Sequence, residues 1–207
     1  SFGTETKLTA YDGRSQIQFG FSVAMNDNYI FIGANRADIE DTENGAIYIY
    51  DESSYDLLRK LTYSYRGLTT AKFGSYLDVS NNYLVSTCPG DDFYNSGGNG
   101  SVVIFDTARS FERIGRLPAF SGDDGLIVSI DEDQVMVGHP MGSNIQVFTI
   151  STTTTFPEPA LTQTEISLPN LIDNDSNSAP VSVYGNDFVV GTPFFGFSGG
   201  QIVYYEN

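Results

Sequence analysis

The chain has 207 residues, and its 26 Asp plus Glu against ten Lys plus Arg give a formal charge of −16. Such a field repels phosphate backbones and anionic headgroups, so neither nucleic acid nor a membrane surface is expected as a partner. A single cysteine, Cys88, excludes an intramolecular disulfide, and no apolar run is long enough to span a bilayer. The length suffices for one domain with a substantial core. Val, Ile, Tyr, Phe and Thr fill the apolar runs, and helical periodicity is nearly absent.

In chain order, a short run, Lys7–Ala10, comes first. Phe19 and Gly20 then precede a block, Phe21–Gly33, made of two β-rich runs around the polar turn Asn26–Asn28. Two such runs with Asn and Asp between them read as a hairpin. A third run, Ala46–Tyr50, and a fourth, Leu57–Thr62, follow. The order then returns: Phe73 and Gly74, the block Ser75–Thr87 around Ser80–Asn82, and runs at Ser101–Phe105 and Phe111–Leu117. It returns again as Leu126–Gly138 around Asp131–Asp133, with runs at Asn144–Phe148 and Glu165–Leu168. The last unit is Ala179–Gly191 around Tyr184–Asn186, followed by Gln201–Tyr205 and no fourth run.

The four blocks superpose without gaps, and their ends lie 54, 51 and 53 residues apart. A period near 50 marks a repeat architecture of solenoid, array or propeller type. Lys7–Ala10 resembles Lys60–Tyr63 and Arg116–Ala119, so the N-terminus supplies the fourth strand that the last unit lacks. The expected fold is therefore all-β, a four-bladed β-propeller of four-stranded antiparallel blades, closed by the N-terminal strand. The expected single domain spans 1–207, with blades at about 19–63, 73–119, 124–170 and 177–207 plus 5–10. A piece of a larger propeller is the alternative, and a start at Ser1 fits excision from a longer precursor.

Phe19-Gly20 and Phe73-Gly74 open their units, and Gly33-Ala34-Asn35, Gly138-His139-Pro140 and Gly191-Thr192-Pro193 close the second strands. These residues resemble the FG-GAP repeat, the blade unit of integrin α-chain propellers and of many secreted or surface proteins. The third and fourth units depart from it, with Asp124-Gly125 and Asn177-Ser178 in place of Phe-Gly. The resemblance implies a location outside a cell or on a virion. It also implies a ligand-binding face formed by the loops between second and third strands and between blades.

Two features stand out on that face. One is acidic, with Asp38, Glu40, Asp41 and Glu43, then Asp91 and Asp92, then Asp173 and Asp175. Grouped carboxylates suit Ca²⁺, which takes six to eight oxygen ligands, but solvated loop acids are the favoured explanation. The calcium loop of the family is of DxDxDG type between first and second strands, and no turn here carries it. No cofactor or metal is therefore expected. The other feature is aromatic, with Phe93 and Tyr94 in one loop and Phe194, Phe195 and Phe197 in another. Such residues anchor protein interfaces or stack on sugars, or else fold inward as a plug. Arg36 and Arg66 add forks for carboxylates.

Catalysis has little support. The one histidine, His139, occupies a repeated structural slot whose equivalents are Ala34, Cys88 and Thr192. His and Cys clusters for zinc are absent, and nothing singles out a pair of acids for glycoside hydrolysis. The expected function is an extracellular or virion-surface structural or adhesive module that contacts protein or glycan through Arg36, Asp38, Glu40, Asp41, Asp91, Asp92, Phe93, Tyr94, Phe194, Phe195 and Phe197. Its partners are other proteins of a surface assembly, or a cell-surface protein or glycan. The alternative is a hydrolase with an acidic site at the mouth of a propeller channel. Ser151–Pro159 is a Thr- and Pro-rich insertion, and Asn99 and Asn174 fit the N-glycosylation pattern.

Overall fold

The computed structural model describes residues 5–13, 16–37, 44–63, 70–91, 100–119, 126–138, 144–151, 160–167, 180–192 and 201–206. Among them all regular structure is β, in fifteen strands and four antiparallel sheets. Sheet 1 contains β1 (Phe19–Met25), β2 (Tyr29–Ala34), β3 (Ala46–Asp51) and β4 (Leu57–Thr62). Sheet 2 contains β5 (Leu77–Val79), β6 (Tyr83–Cys88), β7 (Ser101–Asp106) and β8 (Glu112–Pro118). Sheet 3 is β9 (Ile127–Asp131), β10 (Gln134–Gly138), β11 (Asn144–Ser151) and β12 (Ala160–Ser167). Sheet 4 has three strands, β13 (Val181–Tyr184), β14 (Asp187–Thr192) and β15 (Gln201–Tyr205). Each sheet is a meander in chain order.

Local chemistry sets the hairpins. The Asn26 carboxamide oxygen accepts from the backbone N–H groups of Asn28 and Tyr29, at 3.1 and 3.0 Å, and closes the first turn. Ser80 does the same for the second turn, its Oγ accepting from the Tyr83 N–H at 3.3 Å. These turn residues also link neighbouring sheets. Asn26 Nδ2 donates to the Ser80 carbonyl, Ser80 Oγ donates to the Glu132 carbonyl, and the Gly185 N–H donates to Asp131.

The sheets pack face to face in a row, with β1 beside β5, β5 beside β9 and β9 beside β13. Between sheets 1 and 2 lie Phe31, Ile47 and Ile49 from one side and Leu84, Val103 and Phe105 from the other. Val85, Val102 and Ile104 meet Val128, Val135 and Phe148 between sheets 2 and 3. Met136 and Ile145 meet Val181, Val183 and Val190 between sheets 3 and 4. Strand alternation sends one set of side chains to each junction, so every inner sheet is apolar on both faces.

At the first junction, backbone meets backbone. A methyl group on Gly33 would overlap the Gly74 carbonyl oxygen, and Gly74 itself has φ of +85°. Ser22 Oγ donates to the same carbonyl at 2.7 Å, and the Phe73 N–H donates to the Asn44 carbonyl at 2.9 Å. The Phe-Gly of one unit is thus seated on the Gly-Ala of the unit before it.

The N-terminal segment does not complete sheet 4. Residues 5–10 form no ladder, and among the described residues sheet 4 consists of β13, β14 and β15 alone. Leu8 and Ala10 instead pack with Ile17, Phe19, Tyr48 and Tyr50 on the free face of sheet 1. Tyr50 Oη donates to the Thr9 carbonyl at 3.0 Å, and Tyr48 Oη donates to Asp12 at 2.6 Å. Lys60 Nζ reaches the other Asp12 oxygen at 2.6 Å and lies 5.0 Å from the centre of the Tyr48 ring. The physical reason is that the apolar face of sheet 1 offers Leu8 and Ala10 more burial than a bare strand edge does.

Two expectations follow. Gly33→Ala should cost about 3 kcal/mol or more through overpacking, while Gly185→Ala, with nothing within 4 Å, should cost about 1–2 kcal/mol for its left-handed backbone alone; urea unfolding of both variants measures the difference. The second concerns Asp12. Burial opposes its ionisation, but hydrogen bonds from Lys60 and Tyr48 outweigh that and hold its carboxyl below the ordinary 3.8. A depressed folded value stabilises above the unfolded pKa and is lost as pH falls through the folded one. Asp12→Asn should therefore lose about 1 kcal/mol near pH 7. The gap to the parent should close below pH 3.8 in melts taken across the acid range.

Candidate functional site

A cleft of about 290 Å³ opens where sheets 1 and 2 meet. Gln18 and Phe21 reach it from the start of β1, and Asn35 and Arg36 from the turn after β2. Lys72, Ser75 and Tyr76 come from the stretch leading into β5, and Pro89 from the end of β6. The repeat builds this wall twice. Gln18 and Lys72 each stand just before a Phe-Gly pair, and both have left-handed backbones, with φ of 56° and 54°. The kink turns the chain into the first strand and sets the residue before Phe at the rim.

Arg36 is exposed, and its backbone N–H is held by the Ile17 carbonyl at 3.3 Å. Beneath it Asn35 is buried. Its Nδ2 donates to Ser75 Oγ at 3.2 Å, and Ser75 Oγ donates to the Lys72 carbonyl at 2.7 Å. Asn35 Oδ1 is buried and has no hydrogen-bond partner among the described residues. Phe21 and Tyr76 present exposed rings at the cleft. Two cations, two aromatic faces and a ring of amides and hydroxyls suit a ligand carrying a carboxylate beside apolar C–H surfaces.

Asp91 is not on this surface. It was expected among the loop acids, yet it is fully buried, and one carboxylate oxygen gathers three donors. Tyr63 Oη donates to it at 2.9 Å, Ser101 Oγ at 2.5 Å and Arg116 Nε at 2.7 Å. A charge this deep must be paired and hydrogen-bonded, and Arg116 supplies the pairing. The hub joins the end of β4 to β7, β8 and the turn after β6. Burial first, and then the Asp91 charge, push the thiol of fully buried Cys88 well above its ordinary value. Burial likewise raises Tyr63.

Of the other expected site residues, Arg36 lies at the cleft. Asp38, Glu40, Asp41, Asp92, Phe93, Tyr94, Phe194, Phe195 and Phe197 fall outside the described residues, as do Glu43, Arg66, His139, Asp173 and Asp175. Among the described residues no three His, Cys, Asp or Glu side chains gather as metal ligands, and no helix is long and apolar enough to cross a membrane. Gln18 and Lys72 end interblade loops of the expected binding face, but neither they nor Phe21, Ser75 and Tyr76 were among the expected contact residues. The available signal was the matched position of Gln18 and Lys72 immediately before each Phe-Gly pair.

Comparison with known proteins bears on the first unit and on the fold. Residues 2–50 match the family model of the FG-GAP repeat, so the resemblance read from the motifs is found there independently. No curated protein sequence matches the chain. Among solved structures, hydrazine synthase of Kuenenia stuttgartiensis is similar with a TM-score of 0.58 at 13% identity. The alignment covers 96% of this chain and 49% of that one, so the chain spans about half the length of this structural relative. At that identity the likeness concerns the fold alone.

The hub predicts a large and specific loss. Asp91→Asn leaves Arg116 buried beside a neutral amide and should cost about 3 kcal/mol. Denaturant titration should also show Asp91→Asn with Arg116→Met milder than the two single losses summed.

Proposed function

We propose that the chain, whose first unit is an FG-GAP repeat, is a non-catalytic binding and structural module of a surface assembly, outside a cell or on a virion. In this reading its sheets are blades of a propeller, and the contact face is the one that holds the cleft between sheets 1 and 2. The ligand is an acidic glycan, bound by its carboxylate. The observation that carries this reading is the placement of Arg36 and Lys72 at one cleft, flanked by the exposed rings of Phe21 and Tyr76.

The chemistry is specific. On a surface of net charge −16, a carboxylate needs local cations to approach, and a guanidinium fork binds it with two parallel hydrogen bonds. Sugar C–H faces stack on exposed aromatic rings, while Gln18, Asn35 and Ser75 offer polar partners to hydroxyls. Such a site holds its ligand without changing it, as an adhesive or assembly contact requires.

Titration calorimetry with a uronic-acid oligosaccharide, and with a neutral oligosaccharide of equal length, tests the reading. The acidic sugar should bind and the neutral one should bind far more weakly. Arg36→Ala should weaken binding about tenfold, which is about 1.4 kcal/mol, with an unchanged melting temperature. Added salt should reduce the affinity. Equal binding of both sugars, or indifference to Arg36→Ala, would sink the acidic-glycan assignment. Release of shortened sugars during the titration would favour the hydrolase alternative.

A further inference from the structure

Consecutive units join through matched positions, so the repeat itself shows which residues a joint needs. Between sheets 1 and 2, Asn35 follows Ala34 and donates to Ser75, the first residue of the next block, at 3.2 Å. The matching pair between sheets 2 and 3 is Pro89 and Leu126. Both are buried, Leu126 belongs to the apolar core there, and a methyl group on Gly100 would touch the two of them. In the sequence the next pair is Pro140 and Ala179, and Pro193 stands at the last match of Asn35. Proline with an apolar partner thus serves to seat one unit on the next. The amide and hydroxyl of the first joint are the exception.

That exception costs stability the fold does not require. Asn35 is 5% exposed, and its Oδ1 has no hydrogen-bond partner among the described residues; a buried acceptor left unpaired has given up water for nothing. Nor does the kink before Phe73 depend on the Ser75 hydroxyl, although Ser75 Oγ donates to the Lys72 carbonyl at 2.7 Å. Gln18 holds the same left-handed backbone where Phe21 stands in place of Ser75, and there the Phe21 N–H closes the turn on the Gln18 carbonyl at 3.0 Å. What the polar pair does accompany is charge. Arg36 follows Asn35, and Lys72 lies at the far end of the relay. The matched positions of the next two joints hold Gly90 with Asp123 and Met141 with Ser176. Relay and cations therefore occur together, at one joint of the three.

We infer that Asn35 and Ser75 are positioning residues for the cations of the cleft, an inference that rests on the acidic-ligand reading above. Asn35 Nδ2 donates to Ser75 Oγ, and Ser75 Oγ donates to the Lys72 carbonyl, so the relay ties the backbone beside Arg36 to the backbone of Lys72. On its other side Arg36 is pinned by its N–H on the Ile17 carbonyl at 3.3 Å. The relay acts through the two cations by fixing the distance between the points from which they reach. Both side chains are long, and closing them on one carboxylate costs less ordering when those points are already set. The cleft is then the one carboxylate seat of the chain, and the joints sealed by proline provide none.

Titration calorimetry with the uronic-acid oligosaccharide tests the relay. The parent should bind at one site per chain. Asn35→Pro with Ser75→Ala, the pair the sequence uses at Pro140 and Ala179, should weaken binding about tenfold. Its melting temperature should hold or rise, because an unpaired buried acceptor is removed and proline restricts the unfolded chain. Ser75→Ala alone breaks the relay without altering the backbone and should also weaken binding. Arg36→Ala should then cost less affinity in the Ser75→Ala background than in the parent, since a group that acts through Arg36 leaves less to lose. That coupling separates positioning from a merely structural role, whatever the stability of the double variant. Parent-like affinity in the folded variants, strictly additive losses for Ser75→Ala and Arg36→Ala, or more than one site per chain would overturn the relay and leave the acidic-glycan reading standing. A parent that binds no uronate would overturn both.

Discussion

Backbone packs directly on backbone at Gly33 and Gly74, with no room for a side chain between them, and the rest of the arrangement depends on this contact. Two sheets normally pack about 10 Å apart, with side chains between them. Here the start of β5 comes in under the end of β2, so that the Phe73-Gly74 peptide lies on Gly33 and Ala46. Only glycine leaves room for the contact, and Gly74 adopts a left-handed turn that most residues resist. The Phe-Gly and Gly-Ala elements of the repeat are therefore two sides of a single joint, and neither makes structural sense within its own unit.

The same joint creates the cleft. Because the chain must kink before each Phe-Gly pair, Lys72 and Ser75 are brought beside Asn35 and Arg36, which follow the glycine on the other side. The Asn35–Ser75 hydrogen bond ties the two edges. Below it, the Asp91 carboxylate draws Tyr63, Ser101 and Arg116 together and braces the next turn of the same face. A site assembled at a joint inherits the joint's rigidity, which suits a surface that must hold a ligand without reacting with it.

The hairpins were legible because their chemistry is local. Asn26, Ser80 and their counterparts sit between β-branched runs, and a turn of two or three polar residues fixes the register of both strands. The Asp91 hub was not legible. Its partners stand 28, 10 and 25 residues away, and nothing in a loop sequence distinguishes a solvated aspartate from one buried by a distant arginine. The N-terminal segment was half legible. The likeness of Lys7–Ala10 to Lys60–Tyr63 reports which side chains pack onto the following sheet, and Leu8 and Ala10 do so. It does not report which edge the backbone pairs with, because edge pairing uses main-chain groups that every residue shares.

By itself the sequence determined the all-β composition, the fourfold repeat and the hairpin turns, since these follow from side-chain period, β propensity and turn chemistry acting over a few residues. Tertiary structure alone decided that Asp91 is buried and that Arg36 meets Lys72, Phe21 and Tyr76 at one cleft. It also decided that the N-terminal segment lies on sheet 1 and, among the described residues, pairs with no edge of β15. Those outcomes depend on which faces meet, and a repeat that makes every face alike leaves that choice to the packing of the whole chain.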